Sequence, residues 1–373
     1  MGAPPAQALR LLDAPGLASL LDVLRLDEGF TLIGPTVRDG AIVHEVILGA
    51  GDLPRGIGDE QAPGRYRLRE RGDPALFGWA APAQSYKPQL FPPRLELVQI
   101  KKTARGLEPR DARPPVPRLA LVGVRPCELA AIAVTDRVLA GGAHVDVDYA
   151  ARRSAAFILA VQCGTPSGTC FCASLGTGPR ARAGFDLALT ELVDPHRFVV
   201  EVGSEDGARV LGRVEAGAAT PADVAAAEAV VEGARANMGR ALDPRELPAK
   251  LAARPEHPRW NDVAARCLGC GNCTQVCPTC FCTTLQESSE LAGDVAGRAR
   301  CWDSCFTTDF AYVHGGSLRP SLRARYRQWL THKLSTWVEQ FGELGCVGCG
   351  RCITWCPVGI DLTTEAAAVA GGA

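Results

Sequence analysis

The stretch Cys267–Cys282, CLGCGNCTQVCPTCFC, holds six cysteines in sixteen residues. Four follow a fixed grammar, Cys267-x2-Cys270-x2-Cys273-x3-Cys277-Pro278, which returns as Cys346-x2-Cys349-x2-Cys352-x3-Cys356-Pro357. Thiolates at this spacing ligate four-iron clusters, whose chemistry is single-electron exchange. Two intervening residues let a tight loop aim successive sulfurs at one cubane. Gly269, Gly271, Gly348 and Gly350 lower the steric cost of wrapping backbone around it. Backbone amides there can hydrogen-bond the sulfurs and tune the potential. In two-cluster proteins with this run, the fourth cysteine serves the other cluster. The crossed rule predicts Cys267, Cys270, Cys273 and Cys356 around cluster 1, and Cys346, Cys349, Cys352 and Cys277 around cluster 2. The competing reading is structural zinc, but zinc sites usually take two separated pairs of thiolates, or thiolates with histidines.

Eight of the sixteen cysteines remain. The motif TCFC occurs twice, at Thr169–Cys172 and Thr279–Cys282. One reading is a third [4Fe-4S] cluster drawn from Cys163, Cys170 and Cys172 with Cys280, Cys282 or Cys305. The other is a set of buried, inert thiols. Their clustering favours metal, and the lack of a standard spacing opposes it. Cys127 and Cys301 stand apart from either set. Trp302 packs near these cysteines, as any core tryptophan would. His314 and His332 flank the cysteine region without metal-site spacing and read as surface or packing residues.

Other chemistry is absent from the sequence. Gly49, Gly51, Gly56 and Gly58 do not match the dinucleotide-binding spacing, and no phosphate-binding GxxxxGK[ST] is present. No Ser-His-Asp set can be picked out. Redox centres without an evident substrate pocket point to electron transfer rather than catalysis.

The elements that must position these thiols belong to a chain of 373 residues, 47% apolar, with 40 Lys+Arg against 41 Asp+Glu. That length suggests two or three domains with real cores. The charge balance excludes nucleic acid as the main partner, which would need a basic excess. The opening MGAPPAQALRLLDAPGLASLLDV lacks the charged and apolar regions of a signal peptide, and no apolar run could span a membrane. The expected location is therefore cytoplasmic, where cysteines serve as metal ligands more often than as disulfides.

Residues 1–115 alternate apolar runs (FTLIG, AIVHEVIL, LELVQI) with Gly- and Pro-rich breaks, and read as a β-rich region. The charged, Pro-rich segment 103–117 reads as a linker. Residues 116–245 form an α/β unit. It has strands at Leu119–Val124, Phe157–Val161, FDLALTELV and RFVVEV, and helices following Pro126 and over 221–242, the latter capped by Thr220. Residues 246–373 carry the dicluster core. Sixty-eight residues separate Cys277 from Cys346, so this core holds a large insertion. A helix is expected over Ser317–Phe341, with Leu318, Leu322, Tyr326, Leu330, Leu334, Trp337 and Phe341 as its buried stripe. Arg319, Arg323 and Arg327 share another face, solvated or docking an acidic partner. The fold class is α+β: a β-rich and α/β N-terminal part followed by a helical domain on a ferredoxin-like dicluster core.

The blocks GVRPCELAAI (Gly123–Ile132), CGTPSGTCFCASLGTGP (Cys163–Pro179), CLGCGNCTQVCPTCFC, RCWDSC (Arg300–Cys305) and CVGCGRCITWCPVGIDL (Cys346–Leu362) together resemble one family. It is that of the beta subunits of soluble NAD(P)-linked nickel–iron hydrogenases, the sulfhydrogenases. An iron–sulfur component of the anaerobic sulfite reductases is a relative with the same blocks. The resemblance covers roughly Gly123 to Leu362 and extends faintly to AQSYKPQLFPP (Ala83–Pro93); Cys301 is an addition to the pattern. It implies a hetero-oligomer in which a flavin subunit exchanges electrons with NAD(P)H. The clusters of this chain would connect that flavin to the small and large subunits of a hydrogenase, or to a sulfite reductase subunit. The alternative from another class is a flavin-binding iron–sulfur oxidoreductase, with FAD on the middle unit.

Overall fold

The computed structural model describes residues 9–371; residues 1–8, the start of the stretch read for a signal peptide, lie outside the described residues. The strands in chain order are β1 (Arg10–Asp13), β2 (Thr31–Arg38), β3 (Ala41–Val46), β4 (Ile57–Ala62), β5 (Arg65–Glu70), β6 (Arg94–Thr103) and β7 (Gly106–Asp111). They continue with β8 (Leu119–Val124), β9 (Phe157–Val161), β10 (Leu187–Leu192), β11 (Arg197–Val202), β12 (Gly217–Ala218), β13 (Thr283–Ser289) and β14 (Val295–Trp302). Helices and sheets are mixed, as an α+β chain requires.

Eight strands form one sheet in the order β12-β1-β11-β10-β9-β8-β2-β3. Its centre, β2, β8, β9 and β10, is parallel, and its flanks are antiparallel. Strands β9 and β10 are buried along their whole length; β9 is an unbroken apolar run, while β10 buries Thr190 and Glu191 among its apolar residues. Phe157, Leu159 and Val161 pack with Leu17, Leu20 and Leu21 on one face. Ile158 and Ala160 pack with Leu129, Ile132 and Tyr149 on the other, the two-residue period of a strand. The boundary drawn between 1–115 and 116–245 thus crosses a single sheet.

Three expectations change on the structure. The supposed linker contains β7, which pairs with β6. Its Pro109 is tolerated because β7 is an edge strand. The helix expected from Ser317 starts at Leu322, because the Ser321 side chain caps it by accepting from Ala324 N. It then passes through a π turn, His332–Thr336, before ending at Phe341. Leu318 lies outside it and is exposed, whereas Tyr326, Leu330, Leu334 and Trp337 are buried as expected. The helix over 221–242 stops at Ala236; Thr220 caps it in a reciprocal capping box with Asp223.

A second sheet, β13-β14-β6-β7, joins the insertion to the N-terminal region. The stronger bond between the two parts is a buried strap of irregular chain, Ala75–Pro82. Backbone groups buried without a ladder must find side-chain partners. Glu191 accepts from Leu76 N at 2.7 Å and Phe77 N at 2.9 Å. Arg125 donates to Phe77 O at 2.7 Å and Trp79 O at 2.6 Å. Arg351, fully buried, donates to Pro82 O at 2.7 Å and pairs with the equally buried Glu128 at 2.7 Å. Arg125 and Glu128 come from the block GVRPCE, so part of that block is a packing device.

Two stability predictions follow from these buried groups. Removing Glu128 leaves the Arg351 charge unpaired, so Glu128→Ala should cost about 3–5 kcal/mol in anaerobic denaturant unfolding, while the double change Glu128→Leu with Arg351→Met should recover much of it. His44 is buried against Tyr86 with ring centroids 4.0 Å apart, and burial pushes it down to about 3. The unfolded histidine, ordinarily near pH 6.5, takes up a proton the folded one refuses. Stability should therefore fall by about 1.4 kcal/mol per pH unit below about 6.5, and a His44→Phe chain should lack that component.

Candidate metal centres

The first cysteine run starts where helix Arg259–Arg266 ends, with Cys267 N still donating to Val263 O at 3.0 Å. Gly271 then turns the chain into a short helix, Asn272–Gln275, that presents Cys273. Cys267, Cys270, Cys273, Cys352 and Cys356 line one cavity together with Tyr326 and Trp329. Gly269 N donates to Cys267 Sγ at 3.4 Å and Ile360 N to Cys356 Sγ at 3.3 Å. The first three thiols of one run thus meet the third and fourth of the other. Burial first, then the sulfurs of Cys346, Cys349, Cys277 and Cys273, drive the Cys352 thiol well above its ordinary range. Burial pushes Cys346 up to about 12. As free thiols these groups would stay protonated; iron binding would displace those protons and supply the compensating positive charge.

Whether the pocket suits an iron–sulfur cluster can be judged from what surrounds the thiols. The Tyr326 hydroxyl and the Trp329 indole N–H are buried without an acceptor, and both line the first cavity. Cluster sulfides would supply acceptors there. Among the described residues, no three His, Cys, Asp or Glu side chains converge on the point that a single ion would occupy.

Electrostatics distinguish the two centres. Lys333, only 3% exposed, donates to Cys277 Sγ at 3.3 Å and to Thr279 Oγ1 at 3.1 Å. Arg351, between Cys349 and Cys352, lies against the Cys349 sulfur. Two buried cations therefore touch ligands of cluster 2. Cluster 1 has the sole exposed cysteine, Cys270, among the described residues. The sequence reading missed these cations, though Lys333 was marked by its place on the helical stripe, three residues after Leu330 and four before Trp337. Lys87 was missed too. It lies in the faintly matching block AQSYKPQLFPP, and its ammonium donates to Cys277 O at 3.0 Å and Cys280 O at 3.1 Å while sitting 3.7 Å over the Trp302 ring.

The remaining cysteines separate. Cys163, Cys170 and Cys172 face one another beside Cys349, and burial pushes Cys170 up to about 12. The second run presses on their loop. A Cβ at Gly348 would lie 2.6 Å from Cys172 N, and one at Gly350 2.5 Å from Thr169 O, both at positive φ. Buried Cys127 abuts Cys172 and Cys349. Cys280, Cys282 and Cys305 line a different cavity, whose walls include none of those four. The six thiols considered for a third cluster thus fall into two groups of three. Cys301, on β14, accepts from Arg94 at 3.4 Å instead. His332 lines the Cys282 cavity, lowered to about 4 by burial, and His314 is exposed. Arg323 and Arg327 clamp Glu256 at 2.6 and 2.8 Å, so that arginine face is largely paired within the chain.

Residues 266–360 match the model of the 4Fe-4S dicluster domain. Over 247 residues the chain is 34% identical to sulfhydrogenase 2 subunit beta of Pyrococcus furiosus, covering 65% of this chain and 72% of that one. The chain belongs to the sulfhydrogenase beta-subunit family. It is an iron–sulfur subunit of the hydrogenase type. No solved structure matches it. No helix among the described residues is long and apolar enough to cross a membrane.

Crossed ligation separates the family's two centres by mutation. Cys356→Ala, from the second run, should abolish the EPR signal of the cluster held by the first run. Cys277→Ala should abolish that of the other cluster, each change removing about four iron atoms per chain. Ligation within each run would give the opposite assignment.

Proposed function

We propose that this chain relays single electrons in the cytoplasm between a flavin subunit that reacts with NAD(P)H and a nickel–iron hydrogenase module. Two [4Fe-4S] clusters would be held by Cys267, Cys270, Cys273 and Cys356, and by Cys346, Cys349, Cys352 and Cys277. The observation that supports the reading is that the first three thiols of the first run line one cavity with Cys352 and Cys356 of the second, in a chain of this family without a dinucleotide fingerprint. Bound there, the clusters would supply one-electron exchange, and the flavin of a partner would divide the two-electron hydride. Residues 246–373 would act as the cluster-holding unit, with the strap and the sheet of the N-terminal parts as its brace.

The chain's own residues set the order of the relay. The ammonium of Lys333 and the guanidinium of Arg351 favour the more negative, reduced form of cluster 2. Cys270 puts cluster 1 at the surface, where a partner can approach. The anaerobically purified chain should contain both clusters, with cluster 2 titrating at the higher potential by EPR. It should reduce no dye from hydrogen or NAD(P)H until partner subunits are added. Robust hydrogen- or NAD(P)H-dependent dye reduction by the chain alone would overturn the relay reading.

A further inference from the structure

We propose that Cys280, Cys282 and Cys305 hold an iron–sulfur cluster of their own, with three protein thiolates and one iron position open to a cavity. The inference rests on the relay reading and extends it, but stands on residues outside the two cysteine runs.

The first observation is convergence. Cys280 and Cys282 flank Phe281 at the start of β13, and Cys305 follows the end of β14. Pairing of Thr283 with Trp302 brings the two ends together, and Asp303 N donates to Cys282 O at 2.8 Å. All three thiols line one cavity of 360 Å³. The hairpin belongs to the 68-residue insertion, so the insertion builds a site that a minimal dicluster core lacks.

The second observation is the lining. Trp337, 1% exposed, borders this cavity, and its indole N–H has no acceptor. Lys333 and Arg319 also line it, with no aspartate or glutamate on its walls. The buried Lys333 ammonium makes no ion pair with a carboxylate; its partners are Cys277 Sγ, Thr279 Oγ1 and Gly345 O. A buried ammonium is costly unless anionic groups surround it, and the Cys277 thiolate is only one such neighbour. Three thiols, an unsatisfied indole donor and two cationic side chains without a carboxylate on the walls together favour an occupant that is anionic and rich in acceptor atoms. A thiolate-bound iron–sulfur cluster is both.

The third observation is the ligand count. Three thiolates leave one iron of a cubane without a protein sulfur, and the remaining space on that side is the cavity itself. A small anionic or neutral donor from solution would complete its coordination. Lys333, which donates to Cys277 Sγ and lines this cavity, would then neighbour both this cluster and cluster 2.

The test uses the full-length chain, purified without oxygen. Cys282→Ala with Cys305→Ala should lose about four iron and four sulfide per chain relative to the unaltered protein, while the signals of clusters 1 and 2 persist. Cys301→Ala, the control, should lose none. If the double variant does not accumulate, cyanide added to the reduced unaltered protein decides: binding at an open iron should change one EPR component, whereas fully thiolate-bound clusters would not respond. Undiminished iron in the double variant, zinc at these cysteines, a Cys282–Cys305 disulfide, or, where the double variant fails to accumulate, a cyanide-insensitive spectrum would overturn the proposal. Absence of the two run-held clusters from the unaltered protein would instead sink the relay reading itself.

Discussion

The guanidinium of Arg351 is the point at which the parts of this chain are tied together. It comes from the second cysteine run, pairs with Glu128 of the middle helix, and donates to Pro82 O and Gln84 O of the N-terminal strap. All of this lies in a region where desolvation pushes the Glu128 carboxyl up and the guanidinium opposes that rise. A buried charge is stable only where its partners are fixed, so the pair enforces one arrangement of three distant stretches. That arrangement also sets Arg351 against Cys349. Stability and redox environment thus depend on the same atoms.

The wider structure repeats the theme. A formal charge of −1 conceals a marked local separation. Arginines on the surface are mostly neutralised by neighbours such as Asp243, Glu256 and Glu60. Lys87 and Lys333, deep in the molecule, have only sulfurs, hydroxyls, carbonyls and a tryptophan face around them. Positive charge has been retained inside beside Cys277, Cys280 and Cys349, though none lines the cavity of Cys267, Cys270 and Cys273. This suits centres whose clusters carry negative charge in either oxidation state.

The cysteine runs could be read because their spacing encodes local geometry: each loop must bend around one cage whatever the rest of the chain does. Strands β8 and β9 could be read for a similar reason, since burial on both faces leaves continuous apolar runs. The joining of β1, β2 and β3 to the middle strands was not legible, because pairing partners are chosen by tertiary contact and not by any local pattern. Nor was the hairpin β6–β7, where charged residues and Pro109 imitate a linker while an exposed edge tolerates both. Leu318 shows the limit of periodicity. It continues the helical stripe in sequence, but Pro320 and the Ser321 cap stop the helix short of it. The division of six spare thiols into two triads depends on which loops face each other across the second run, and spacing is blind to that.

Cys270 is exposed, while the other ligands of its centre are half-buried. Electron tunnelling falls off steeply with distance, so the thinnest wall of the molecule is its natural port. The same thinness admits dioxygen. An iron–sulfur centre there would begin to decay at that edge, and a partner seated over it would serve as its shield as much as its donor or acceptor.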